Sequence, residues 1–277
     1  MTDVLAPKTL EELWSFLENE PEGKVYAGGT DLLVWRRARG GHHGPLICLE
    51  RIDELKGVRE EPGGLWIGAA TTHRRLLDDP RIRDGFPVLA QALAVLGSPP
   101  VRNMGTIGGN ICTASPAGDT LPPLYVLGAE VLLLSRGGER AVPVASFIKG
   151  PGLTALERGE IVSGVRIRYP AGFNRHHFEK VGQRKALAIA VASLAALMAV
   201  SASGEIEAVR LAWGSVGPTV VTSPEVEAAL TGRPLCLATL REAAALAREV
   251  CRPIDDLRAT AAYRRQVAGN LLLRLGI

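Results

Sequence analysis

The sequence predicts a two-domain chain of mixed helices and strands that divides near residue 172. Three observations predict this. Strand-like runs and helical periodicities interleave over the first part of the chain. Pro170-Ala171-Gly172 then follows a strand pattern and breaks it, as such clusters do. Beyond the break come two apolar runs and three helical stretches with clear start signals. At 277 residues and 47% hydrophobic content, each part can bury a core of its own. Aromatics make up only 5%, so that core has to be built from Ala, Leu and Val.

Each element has a local reason. Thr9-Leu10-Glu11-Glu12 reads as a capping box, with the Thr9 hydroxyl accepting from the Glu12 amide and the Glu12 carboxylate reaching back to Thr9. Leu10, Leu13, Trp14 and Leu17 follow at helical spacing until Pro21 and Gly23 end the run. Strands are predicted at 24–27, 46–49, 65–69 and 161–169, with a short turn element at 52–55. A helix through Leu77 is capped by Thr71-Thr72, and another spans 86–96 with Pro87 in its first turn. Asp119 reads as the cap of the helix that ends at Gly128. Arg136-Gly137-Gly138-Glu139 joins two strands as a hairpin. Past the break, 185–200 and 206–214 read as hairpin strands, although the Ala-rich first run also fits a helix. Helices are predicted from Ser223 to Gly232, after a second capping box at Thr239-Leu240-Arg241-Glu242, and over 259–273.

Composition excludes several functions. The formal net charge is +3 and the basic residues are scattered, with the densest group at Arg36, Arg37 and Arg39. A nucleic-acid surface needs a longer basic stripe with stacking aromatics, so these arginines read as a solvated face. Cys48, Cys112, Cys236 and Cys251 lie far apart without a CxxC, so no metal or iron–sulfur site is expected in this chain. Unpaired thiols suit a reducing cytoplasm. The acidic start lacks a signal-peptide core, and the apolar stretch at 186–200 is too short for a membrane span. His42, His43, His73, His176 and His177 show no metal spacing, and surface positions are expected for them.

Two glycine-rich segments remain. Ala27-Gly28-Gly29-Thr30-Asp31-Leu32 follows a predicted strand, and Thr106-Ile107-Gly108-Gly109-Asn110 repeats its chemistry farther on. Read as loops, both offer main-chain amides that converge on an anion, with hydroxyls beside them. One such loop could hold one phosphate; two together could hold a diphosphate without a cationic side chain. Neither has the GxGxxG of a nicotinamide-binding fold or a Walker loop.

GGTDL at 28–32 and RNMGTIGGNICTASPAGD at 102–119 together resemble the FAD-binding subunit of molybdenum hydroxylases, the family of xanthine dehydrogenases and aerobic carbon monoxide dehydrogenase. GERAVPVASFIKGPG at 138–152 and FEKVGQRKALAIA at 178–190 extend the resemblance over essentially the whole chain. It implies an α+β fold: a two-part PCMH-type FAD-binding domain at 1–171, then a smaller C-terminal α/β domain at 172–277 with an antiparallel sheet and helices. It implies that Ala27, Gly28, Gly29, Thr30, Asp31 and Leu32 face Thr106, Gly109 and Asn110 across the FAD diphosphate. Asp119 would bond a polar part of the nucleotide, Val162 would pack near the isoalloxazine, and Lys180 would sit close to the ring or its electron acceptor, the one residue carried over in a catalytic role. Leu96, Thr71 and Thr72 would approach the nucleotide. Without the resemblance, Lys180 reads as a solvated strand residue and Val162 as ordinary core.

With no histidine in 26–35, the FAD is expected to be noncovalent. The implied partners are a molybdenum-cofactor large subunit and a small subunit with two 2Fe–2S clusters, with NAD, a quinone or another acceptor downstream. The ICTASPAGD segment favours a xanthine dehydrogenase-like complex over a carbon monoxide dehydrogenase. A free-standing FAD oxidase of the same broad fold, and an assembly subunit without flavin, are the alternatives.

Overall fold

The computed structural model describes residues 4–39, 44–184 and 186–276. The surface expectation for His42 and His43 lies outside these residues. The chain begins with β1 (Val4–Leu5), α1 (Leu10–Asn19), β2 (Lys24–Tyr26), α2 (Leu32–Arg39) and β3 (Leu46–Cys48). The three strands form a parallel sheet in the order β1-β3-β2. Leu13 and Trp14 of α1 pack on Ile47, Leu49 and Ile52 beneath it. The first capping box is half of what its residues predict. Thr9 Oγ1 accepts from the Glu12 amide at 3.2 Å, but the Glu12 carboxylate accepts from Lys8 N at 2.7 Å instead of Thr9.

A larger unit follows: β4 (Val58–Glu61), β5 (Gly64–Gly68), α3 (His73–Asp78), α4 (Pro80–Gly85), α5 (Pro87–Val95), α6 (Pro99–Met104), α7 (Ile107–Thr113) and α8 (Leu121–Val126). It continues through β6 (Glu130–Ser135), β7 (Gly138–Pro143), α9 (Val144–Phe147), β8 (Ile148–Gly150), β9 (Leu153–Thr154) and β10 (Ile161–Arg168). Five of these strands make an antiparallel sheet, β4-β5-β10-β6-β7, and the helices bury its inner face. The helices are short because proline restarts the chain. Pro80, Pro87 and Pro99 each stand first in a helix, where a missing N–H costs nothing.

The last stretch holds β11 (Arg175–Val181), β12 (Ala192–Val200), β13 (Glu205–Gly214), α10 (Pro224–Leu230), β14 (Arg233–Pro234), α11 (Leu237–Val250) and α12 (Ala261–Leu273). Its antiparallel sheet runs β11-β12-β13-β14. The ambiguous Ala-rich run is a strand from Ala192 on, with 186–191 outside it, and β12 is buried along its whole length. Ala195 and Leu197 face the core of the preceding unit, while Leu194, Ala196 and Met198 face the core beneath α10–α12. Burial on both faces removes the polar alternation that would have marked a strand. The C-terminal sheet is therefore the middle layer between α5 and α8 on one side and α10–α12 on the other.

The second capping box does not form. Helix α11 begins earlier, at Leu237, so Thr239 lies inside its first turn and is buried. Glu242 instead accepts from Arg233 at 2.6 Å. Strand β14, pinned to Glu205 and Ile206 of β13, brings Arg233 into reach and sets where the helix can start.

Candidate cofactor-binding site

The first glycine segment runs from the end of β2 into α2, and its two glycines do different work. Gly29 holds φ at +68°, where side chains are strained. Gly28 is a point of backbone contact: a Cβ there would lie 1.7 Å from the Met104 carbonyl oxygen. The segment's polar groups are unspent. Leu33 N and Trp35 N donate to Gly29 O and Asp31 O, but the five amides from Gly28 to Leu32 donate to no acceptor among the described residues.

The second segment differs from its expected form. Thr106-Ile107-Gly108-Gly109-Asn110 is the capped first turn of α7, not a loop. Ile107 N donates to Thr71 O, Gly108 N to Ala69 O, Gly109 N to Thr106 Oγ1 at 3.1 Å and Asn110 N to Thr106 O. The amides of Ile107 to Asn110 therefore already have acceptors within the fold, unlike those of the first segment. A capping threonine three residues before a glycine was the signal for this. What the turn contributes is shape. Gly108 seats α7 against Ala69, where a Cβ would come 2.5 Å from the alanine methyl. At Gly109 a Cβ would meet only Thr106 Oγ1, at 3.0 Å, and would otherwise project into open space.

The segments face each other across a cleft of about 530 Å³ that both line. Two hydroxyls set its polar side chains. Thr113 donates to Asp31 Oδ2 at 3.0 Å and so ties the end of α7 to the first segment. Thr120 donates to Asn110 Oδ1 at 2.6 Å, which leaves the Asn110 amide N–H groups for the cleft. Thr120→Val would free that amide to turn, and calorimetry should find the FAD that the sequence resemblance implies bound roughly five-fold more weakly, the loss of about one oriented hydrogen bond.

Asp119 also lines the cleft, and it is not a helix cap; α8 starts after Thr120, without a side-chain cap bond. Its partner is Lys180, which reaches over from β11 and donates to Asp119 Oδ2 at 2.6 Å and to Val95 O at 2.8 Å. Both side chains are buried, at 10% and 8% exposure, so Lys180 is not a solvated strand residue. Burial pushes the Asp119 carboxyl up to about 6, against the pull of the lysine. Its Oδ1 is buried without any partner, an acceptor waiting for a donor.

Val162 sits elsewhere. It lines a smaller recess of about 160 Å³ behind Ala27 and Gly109, walled mostly by apolar side chains such as Ile161, Leu156 and Leu49. The recess and the cleft share Val25, Tyr26, Ala27, Gly109 and Cys112 in their walls, with Val162 lining the one and Asp119 the other. Thr71 and Thr72 are spent as well: Thr71 Oγ1 bonds Gly57 N and Gly57 O, and Thr72 caps α3. Leu96 does line the cleft, as do Val101, Cys112, Ile189 and His73, which the sequence did not single out. His73 was expected at the surface and is 2% exposed, turned inward on α3 with Leu76.

Residues 1–170 match the family model described as the FAD binding domain in molybdopterin dehydrogenase, and 177–276 match the CO dehydrogenase flavoprotein C-terminal domain. The chain belongs to this family. It is the FAD-binding medium subunit of a molybdenum hydroxylase, an oxidoreductase component. It is 32% identical to the carbon monoxide dehydrogenase medium chain of Hydrogenophaga pseudoflava, over 97% of this chain and 93% of that one. It is 31% identical to the putative xanthine dehydrogenase FAD-binding subunit of Escherichia coli K12, over 92% of this chain and 88% of that one. The structure of quinoline 2-oxidoreductase from Pseudomonas putida 86 superposes with a TM-score of 0.94 at 29% identity, covering 99% of this chain and 95% of that one. As a member of this family the chain has the α+β fold its motifs implied, and no described helix is long and apolar enough to cross a membrane.

Proposed function

We propose that this subunit holds one noncovalent FAD across the cleft and carries electrons from 2Fe–2S clusters of a small partner subunit to NAD, a quinone or another acceptor. The electrons originate on a molybdenum-cofactor large subunit that oxidises the substrate. The observation that carries this reading is the row of five undonated amides at Gly28–Leu32 facing Gly109 and Asn110. Amides lined up without protein acceptors suit a diphosphate, and each charge-assisted bond contributes roughly 1.5–3 kcal/mol. Asn110 adds a fixed side-chain donor, Gly109 leaves the room, and Ala27 and Asp31 complete the walls.

Bound FAD supplies a store for two electrons that can be released singly or as a hydride. The chain's own residues do the rest. The largely apolar recess at Val162 would suit the adenine, the half that takes no part in electron exchange. The end near Leu96, Asp119 and Lys180 would hold the flavin half, where the unpartnered Asp119 Oδ1 would accept from a cofactor donor and Lys180 holds that carboxylate in place. Exposed Leu33, Val34 and Trp35 on α2, with Leu187 and Ile189 beside the cleft, offer apolar surface for the electron-donating partner.

Residues 1–171 are the FAD-binding domain in this reading, and 172–277 the C-terminal domain that delivers Lys180. The ICTASPAGD segment lies on α7 and the turn after it, at the cofactor cleft. It thus reports on flavin binding and carries no preference between xanthine and carbon monoxide as substrate of the complex. The purified chain should be yellow and release all its FAD on acid treatment, leaving none on the polypeptide. A colourless chain that takes up no added FAD would overturn the reading, and unaided oxidation of an alcohol or sugar would favour a free-standing oxidase.

A further inference from the structure

His73 opens α3 directly after the capping Thr72, and its ring points into the protein. Its main-chain N–H donates to Gly105 O at 2.9 Å, which holds the residue against the second motif. A Cβ on Gly105 would lie 3.2 Å from both His73 Cδ2 and Thr30 Oγ1. The imidazole, Gly105 and Thr30 thus meet at one point of the cleft wall, and Thr30 belongs to the row of undonated amides.

Neither ring nitrogen has a hydrogen-bond partner among the described residues, and Nδ1 is fully buried. Nε2 is therefore the nitrogen with access to the cleft that His73 lines. Burial, reinforced by the nearby Arg102 charge, pushes the ring's pKa down to about 4. At neutral pH the ring carries a single N–H. On Nδ1 that proton would be a buried donor with nothing to meet, while on Nε2 it points at the cleft. Arg102 does not fill this role: it does not line the cleft, its Nη1 donates to the Leu96 and Gly97 carbonyls, and its Nε is buried.

We propose that His73 is a further cofactor-binding residue, whose neutral imidazole donates from Nε2 to a diphosphate oxygen of the dinucleotide beside Thr30. This rests on the reading of the chain as an FAD carrier. A neutral donor serves here because it adds a bond to the anion without the cost of a buried cation when the cleft is empty.

The test uses the full-length apoprotein with FAD, ADP and riboflavin as separate probes in calorimetric or fluorescence titrations. His73→Phe keeps the ring's bulk and removes the donor; it should weaken FAD and ADP each by roughly ten-fold and leave riboflavin unchanged. His73→Gln, which offers an amide donor at similar reach, should recover affinity to within about three-fold by the same measure. Histidine ¹⁵N resonances should show the proton on Nε2, with its signal moving when ADP is added. Unchanged ADP affinity in His73→Phe, or a proton found on Nδ1, would overturn the proposal. If His73→Phe does not fold, the Nε2 signal decides. A wild-type chain that binds no FAD at all sinks the carrier reading and this proposal together, whereas wild-type binding matched by His73→Phe sinks this proposal alone.

Discussion

Gly109→Val is expected to give a folded, colourless protein. A valine there would push its methyls into the space between α7 and residues 28–32, since nothing but Thr106 Oγ1 stands near its Cβ. The displaced ligand would lose several amide contacts at roughly 1.5–3 kcal/mol each, so FAD affinity should fall by at least about 100-fold. Stability should hardly move, because glycine and valine differ by only about 0.5 kcal/mol in helix propensity. Gly28→Ala makes the contrast. Its methyl would run into the Met104 carbonyl, 1.7 Å away, and force two backbone segments apart. Overpacking of that kind costs about 1–3 kcal/mol, so flavin loss there should come with a lowered Tm. Flavin absorbance per chain and a thermal melt separate the two. A Gly109→Val protein with full flavin would place the cofactor elsewhere.

Lys180→Met should be the most damaging substitution for stability near the cleft. It strips the buried Asp119 carboxylate of its cation, and removing one member of such a pair costs about 3–5 kcal/mol when the other stays charged. Asp119 can escape part of this by taking a proton, so the expected loss at pH 8 is about 2–3 kcal/mol. The direction with pH follows from the raised carboxyl. A group whose folded pKa lies above its unfolded value favours the native state most below the unfolded value, and that contribution fades as pH rises through the folded one. For Asp119 the window runs from about 4 to about 6, and losing the lysine extends it upward. The Tm deficit of Lys180→Met should therefore be large at pH 8 and small at pH 5, where Asp119 is mostly protonated in both proteins. An equal deficit at the two pH values would show that the pairing is not what matters.

The longer strands, such as those at 24–26, 64–68 and 161–168, and several helix starts were legible because their signals are local. The short strands β1, β4, β8, β9 and β14 and the helices α4, α6 and α7 were not foreseen. Thr9, Thr72 and Ser223 cap where their side chains predict, since a cap depends on residues three apart. What the sequence concealed depends on distant partners. Thr239 looks like a cap as good as Thr9, but Arg233 and the β14 pairing decide where α11 begins. Both glycine pairs were visible, yet whether the Ile107 and Gly108 amides were free turned on carbonyls of Thr71 and Ala69 some forty residues away. Asp119 read as a cap because its partner is 61 residues downstream. His73 carried no local mark of burial beyond its place between Thr72 and Leu76.

Strand β12, with small alanines on both sides, has a consequence for chimeras between relatives. Its two surfaces answer to different parts of the chain, one to the helices encoded before residue 172 and one to those encoded after it. Grafting a foreign C-terminal half onto this N-terminal half would fail first along α5 and α8, even with every residue near the nucleotide retained. A working exchange must transplant the outward sides of those two helices along with the sheet they cover.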